Sequence, residues 1–117
     1  MRIMRIVPNV ATQDIESAKS FYRDILGLDV VMDMGWIATL EANALMRPQL
    51  SFAAQGGSRT AVPDITIEVD DLQEALHRLQ KAGITVEYGP TDEPWGVRRF
   101  YVRDPFGRLL NIMEHPG

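Results

Sequence analysis

Asp64, Thr66 and Glu68 alternate along one predicted strand, so two carboxylates share a face with a hydroxyl between them. Crowded carboxylates hold a proton more readily than isolated ones, and such a pair can work as a general base and its partner. Arg99 is expected opposite them, where pairing with Asp64 or Glu68 would turn a reactive couple into a satisfied polar network. Of the two histidines, His77 falls on the exposed side of a predicted helix and His115 almost at the C-terminus, and both read as solvated surface residues. The chain has no cysteine, which excludes disulfides, thiolate nucleophiles and cysteine zinc sites. Trp95 stands in the turn-rich run from Gly89 to Gly96. A large aromatic there is poorly explained by core packing and is expected to stack on a flat ligand.

The elements that must position these residues come in two similar sets. Arg5 to Thr12 reads as a strand, Asp14 as the cap of a helix with apolar residues at Ile15, Ala18, Phe21, Tyr22, Ile25 and Leu26, and Gly27 as its end. Leu28–Met34, Trp36–Leu40 and Pro48–Ala53 follow as strands. Asp64 to Gly83 repeats the succession, with Asp71 as cap, Leu72, Ala75, Leu76, Leu79 and Ala82 as apolar stripe, and Gly83 as end. Ile84–Tyr88, Val97–Arg103 and Arg108–Glu114 complete it, the last two joined by the turn Asp104-Pro105-Phe106-Gly107. The small, Gly-rich segment 54–63 between the sets is a surface connection. The boundaries are therefore about 1–53 for the first module, about 54–63 for the linker and about 64–117 for the second.

Composition narrows the function classes. At 117 residues, 45% hydrophobic and 24% charged, the chain is one ordinary globular domain. No apolar run approaches the roughly 20 residues a bilayer requires, and the start MRIMRIVPNV lacks a secretory signal's apolar core. A cytoplasmic location and no membrane partner are expected. A formal charge of −4 without a Lys/Arg cluster gives no footprint for nucleic acid, and the acidic balance weakly favours cationic small molecules.

Phe21-Tyr22-Arg23-Asp24 with Leu26-Gly27, Glu68-Val69-Asp70-Asp71, and Asp104-Pro105-Phe106-Gly107 together resemble the vicinal oxygen chelate superfamily. That group includes glyoxalase I, extradiol dioxygenases, fosfomycin resistance enzymes and bleomycin resistance proteins. The resemblance implies an α+β fold, two tandem βαβββ modules forming an incomplete eight-stranded barrel with a central cleft, and commonly a two-fold homodimer. Metal-dependent members place a His seven residues before each marker aspartate and a Glu four after the turn glycine. The matching positions here are Val7, Asp64 and Asn111, an aliphatic, an acid and an amide. Gln49 or Ser51 would add only a weak oxygen. A transition-metal site usually needs at least three protein ligands, so no divalent metal or other cofactor is expected.

The resemblance further implies that Tyr101 and Met113 face the cleft with Arg99, Asp64, Glu68 and Asn111; Trp95, from its place in the turn-rich run, is expected as a lid over it. The expected function is sequestration of an aromatic or cationic small molecule in a metal-free cleft. The alternative is a lyase, isomerase or dioxygenase of the same superfamily with a degenerate or recruited metal site, its catalytic residues unknown.

Overall fold

A run rich in Ile and Val starts the chain as β1 (Ile3–Ala11), and Asp14 then caps α1 (Ile15–Lys19), its carboxylate accepting the Ser17 N–H at 2.9 Å. These come from a computed structural model covering residues 1–117. After Lys19 the helix changes to π geometry over Ser20–Ile25, and Gly27, at φ +81°, closes it. The strands β2 (Asp29–Asp33), β3 (Ile37–Glu41) and β4 (Gln49–Ala53) follow, then β5 (Ile65–Val69) and α2 (Leu72–Lys81). Asp71 caps α2 as Asp14 caps α1, its carboxylate accepting the Glu74 N–H at 3.1 Å. Three further strands complete the order: β6 (Tyr88–Asp92), β7 (Arg98–Arg103) and β8 (Leu109–Glu114). The fold is α+β, and βαβββ occurs twice.

The chain divides into two compact units, residues 7–62 and residues 1–6 with 63–117, so that β1 contributes to both. In residues 7–62, β2 and β3 pair antiparallel, β3 and β4 likewise, and β4 runs parallel to β1 with Asn9 beside Ser51. Ile15 of α1 packs with Ala38, Leu40 and Phe52 on one face of this sheet, joined by Tyr22, whose ring centroid lies 4.9 Å from that of Phe52.

In the other unit β5 and β8 are parallel, β7 joins β8 antiparallel and β6 joins β7. The start of β1 lies beside β5, the Asp70 N–H donating to the Arg2 carbonyl at 3.1 Å. The apolar stripe of α2 buries Leu72, Ala75 and Leu76 against Val69, Phe100, Val102 and Ile112. Phe100 is wholly enclosed. Because Phe100 and Val102 face the helix, alternation sends Arg99 and Tyr101 to the opposite face, which settles the parity of β7.

One element departs from the expected boundaries. Ile84 and Val86 were expected to lie in a strand over Ile84–Tyr88, but they pack against the α2 core outside any strand, and β6 begins only at Tyr88. Its pairing with β7 shifts register between Tyr88 and Thr91, a bulge containing Gly89 at φ +78°. Glycine is required there, since a Cβ would lie 2.5 Å from the Arg99 carbonyl oxygen. The strand therefore runs into the Gly- and Pro-rich stretch that composition alone assigns to a loop.

Candidate functional site

The face of the β5–β8–β7 sheet turned away from α2 carries most of the residues singled out from the sequence. Thr66 lies beside Asn111 and Glu68 beside Met113 across the parallel pair, and Tyr101 and Arg99 flank the same two residues from β7. Tyr101, Met113, Arg99 and Asn111 are all buried. The Asn111 amide donates to the Thr66 hydroxyl at 3.2 Å, while its Oδ1 is buried with no hydrogen-bond partner. A buried carbonyl oxygen without a donor costs about 1–3 kcal/mol, so this is the least satisfied polar atom on the face.

Asp64 stands just before β5 and is engaged locally. Its N–H donates to the Leu109 carbonyl and its Oδ2 accepts the Leu109 N–H, both at 2.8 Å. It ties the start of β5 to β8.

Arg99 does not pair with Asp64 or Glu68, contrary to expectation. Its Nε and Nη2 both reach Glu93 Oε2, at 2.9 and 2.6 Å, with the two side chains only 3% and 4% exposed. The Tyr88 hydroxyl donates to the same carboxylate at 3.1 and 3.2 Å. The Arg99 guanidinium further lies 4.9 Å from the ring centroids of Trp95 and Tyr101 and 5.4 Å from that of Tyr88. Trp95 and Tyr101, which the sequence assigns to a ligand, thus surround a cation the chain supplies itself. Glu93 and Tyr88 were missed because their partnership with Arg99 depends on the β6–β7 register.

Glu68 is held instead by residues of β1 and the C-terminal tail. Arg5 Nε donates to its Oε1 and His115 Nδ1 meets its Oε2, both at 2.9 Å. His115 is therefore more than a solvated surface residue, although its side chain is 55% exposed. Burial is the largest single influence on the Glu68 carboxyl and disfavours its charge. The hydrogen bond from His115 and the charges of Arg5 and His115 together outweigh it and hold the group below the ordinary glutamate range. At the rim of the sheet Arg103 pairs with Glu87, at 2.9 Å.

In residues 7–62 the side chains considered as weak oxygen donors are likewise engaged. Ser51 shares a buried 2.6 Å hydrogen bond with Thr39, and Gln49 donates to Glu41 at 2.6 Å. Val7, at the remaining position of the superfamily's ligand pattern, is buried and has no lone pair to offer. No three His, Cys, Asp or Glu side chains gather into a group able to hold a metal ion. The residues at the pattern's positions do not fit a transition-metal centre.

Known structures share this architecture. A chain described as NAD-dependent benzaldehyde dehydrogenase from Legionella pneumophila matches with a TM-score of 0.76 at 17% identity, covering 96% of this chain and 100% of that one. A glyoxalase/bleomycin resistance protein/dioxygenase superfamily member from Vibrio splendidus 12B01 gives 0.66 at 19% identity, covering 94% and 97%. Methylmalonyl-CoA epimerase of Streptomyces coelicolor, in complex with 2-nitronate-propionyl-CoA, gives 0.68 at 17% identity, covering 100% and 99%. At these identities the likeness is one of fold. No curated protein matches the sequence. The family model for the Glyoxalase/Bleomycin resistance protein/Dioxygenase superfamily matches residues 2–112, and the chain belongs to that superfamily.

Proposed function

We propose that this chain is a small-molecule binding protein that holds a flat, neutral, donor-bearing ring on the Asn111 face without a metal ion. The observation that carries this reading is the Asn111 Oδ1, buried beside Tyr101 and Met113 with no donor of its own. A ligand N–H or O–H delivered there would remove a polar deficit, and an aromatic ring and a thioether beside it suit a planar body. Of the two ligand classes the sequence leaves open, the cationic one loses its support. Glu68 is paired with Arg5 and His115, Glu93 with Arg99, and Asp64 is bonded to Leu109. The aromatic cage is filled by Arg99. Val7, the engaged Asp64 and the neutral Asn111 speak for binding without divalent metal.

The test is ligand-observed NMR and tryptophan fluorescence with benzamide and indole as donor-bearing rings and tetramethylammonium as the cation. Binding of the rings, reduced at least tenfold in Asn111→Leu, is expected. Equal or preferential binding of tetramethylammonium would sink the proposal.

No helix is long and apolar enough to cross a membrane, and the cysteine-free sequence accords with a cytoplasmic site of action. The proposal includes self-association as a two-fold dimer, for which Met4 and Ile6 are the support. Both are more than half exposed on one face of β1, an apolar surface that a second copy would cover.

A further inference from the structure

We infer that His115, clamped by Glu68, is an anion-accepting anchor at one end of the Asn111 face, and that it takes a ligand carboxylate once its imidazole is protonated. The alternation that puts Asn111 and Met113 on this face carries His115 to it, two residues past Met113. The 2.9 Å contact with Glu68, itself beside Met113, fixes that placement. Glu68 engages Nδ1, so the neutral ring keeps its proton on Nδ1 and turns a bare Nε2 outward. Nε2 has no partner in the protein, and the side chain is 55% exposed, so an incoming group can reach it.

The charges around the ring decide what that group is. From β1, Arg5 shares Glu68 at 2.9 Å, so a neutral His115 leaves the local set balanced. Protonation places two cations on one carboxylate, and the surplus positive charge faces outward through Nε2–H. The remaining carboxylates are directed elsewhere: Asp70, at the end of β5, toward the main-chain N–H of Arg2 at 2.6 Å, and Glu114 to the opposite face of β8, in register with Arg98. The site is therefore silent toward anions when the imidazole is neutral and receptive when it is charged. The inference extends the proposed ligand face by a second contact but does not use the Asn111 oxygen.

Benzoate and benzamide, alike in shape and different in charge, separate the two. Titrations between about pH 5 and about pH 8, the range in which histidine changes charge, are followed by imidazole nitrogen NMR. Benzoate affinity is expected to fall by roughly threefold over that range, as for a partly exposed ion pair, with the His115 Nε2 resonance moving on binding. His115→Ala should make the benzoate curve as flat as that of benzamide. Absence of benzoate binding at the acid end, a pH dependence that survives His115→Ala, or a neutral ring protonated on Nε2 would each overturn the inference. Failure of benzamide alone counts against the ring-binding reading and leaves this one standing.

Discussion

Arg99 places Nε and Nη2 on a single oxygen of Glu93, at 2.9 and 2.6 Å, and almost no water reaches either side chain. Such a pair contributes little relative to an apolar replacement, but breaking it leaves a buried charge uncompensated. Glu93→Gln is therefore expected to destabilise the protein by about 3 kcal/mol. The double variant Glu93→Leu with Arg99→Met should recover most of that loss. Urea denaturation reads both, and a Glu93→Gln protein as stable as the parent would show that the pair is not what holds the β6–β7 hairpin.

Asn111→Leu exchanges a half-satisfied amide for an apolar group of nearly the same shape. It removes the orphaned oxygen together with the hydrogen bond to Thr66. The two effects oppose one another, so stability should stay within about 1 kcal/mol of the parent. Binding of benzamide should be lost. Calorimetry with thermal denaturation separates the outcomes, and a large loss of stability would mean that Asn111 is mainly structural.

Acid should destabilise the fold through four lowered carboxyls, among them Asp24, which is hydrogen-bonded to Arg23. Asp33 is held below its ordinary range by the Lys19 hydrogen bond and then by the Gly35 N–H, and Asp14 by the Ser17 hydroxyl and N–H. Glu68 is lowered despite its burial. A lowered carboxyl contributes stability above its unfolded value, about 4, and that contribution is lost as pH falls through the folded value. Lys19 is raised by its hydrogen bonds to Asp33 and Glu16, so its contribution is present below the unfolded lysine value and is lost as pH rises through the folded one. Denaturation midpoints across pH should form a plateau bounded by these two limbs. Asp33→Asn should make both limbs shallower, and an unchanged profile would contradict the assignment.

Gly89→Ala puts a methyl group where the Arg99 carbonyl oxygen already lies, at a φ of +78°. A cost of about 2 kcal/mol or more is expected, read as a lowered urea midpoint. Gly35, also at positive φ but with open space around it, should tolerate alanine at a smaller cost.

Self-association is checked by sedimentation equilibrium, where the parent is expected at twice the 13.2 kDa chain mass. Ile6→Glu should shift the distribution to the single chain while leaving the far-ultraviolet spectrum intact. A parent that sediments as a single chain at every concentration refutes the dimer.

The caps were legible in the sequence because their chemistry is local: Asp14 and Asp71 each precede an apolar stripe of helical period by one residue. The shared face of Thr66 and Glu68 follows from alternation, whereas Asp64 falls just before the strand and is engaged by the Leu109 N–H. Tyr101 was assigned to that face only through resemblance, and packing of Phe100 and Val102 against α2 decides the parity. The partner of Arg99 could not be read, since Glu93 reaches it only after the register shift between Tyr88 and Thr91. The His115 contact was hidden for a similar reason. A tail residue joins Glu68 across 47 positions of sequence, and no periodic pattern extends that far.

The two helices that back the sheets differ in regularity. α2 runs as ten regular residues, whereas α1 holds its α geometry for five and then widens over Ser20–Ile25. A π segment is an α-helix with one residue too many. Deleting one residue there should let the coil tighten and swing everything N-terminal to it by about a hundred degrees, one residue's share of a turn.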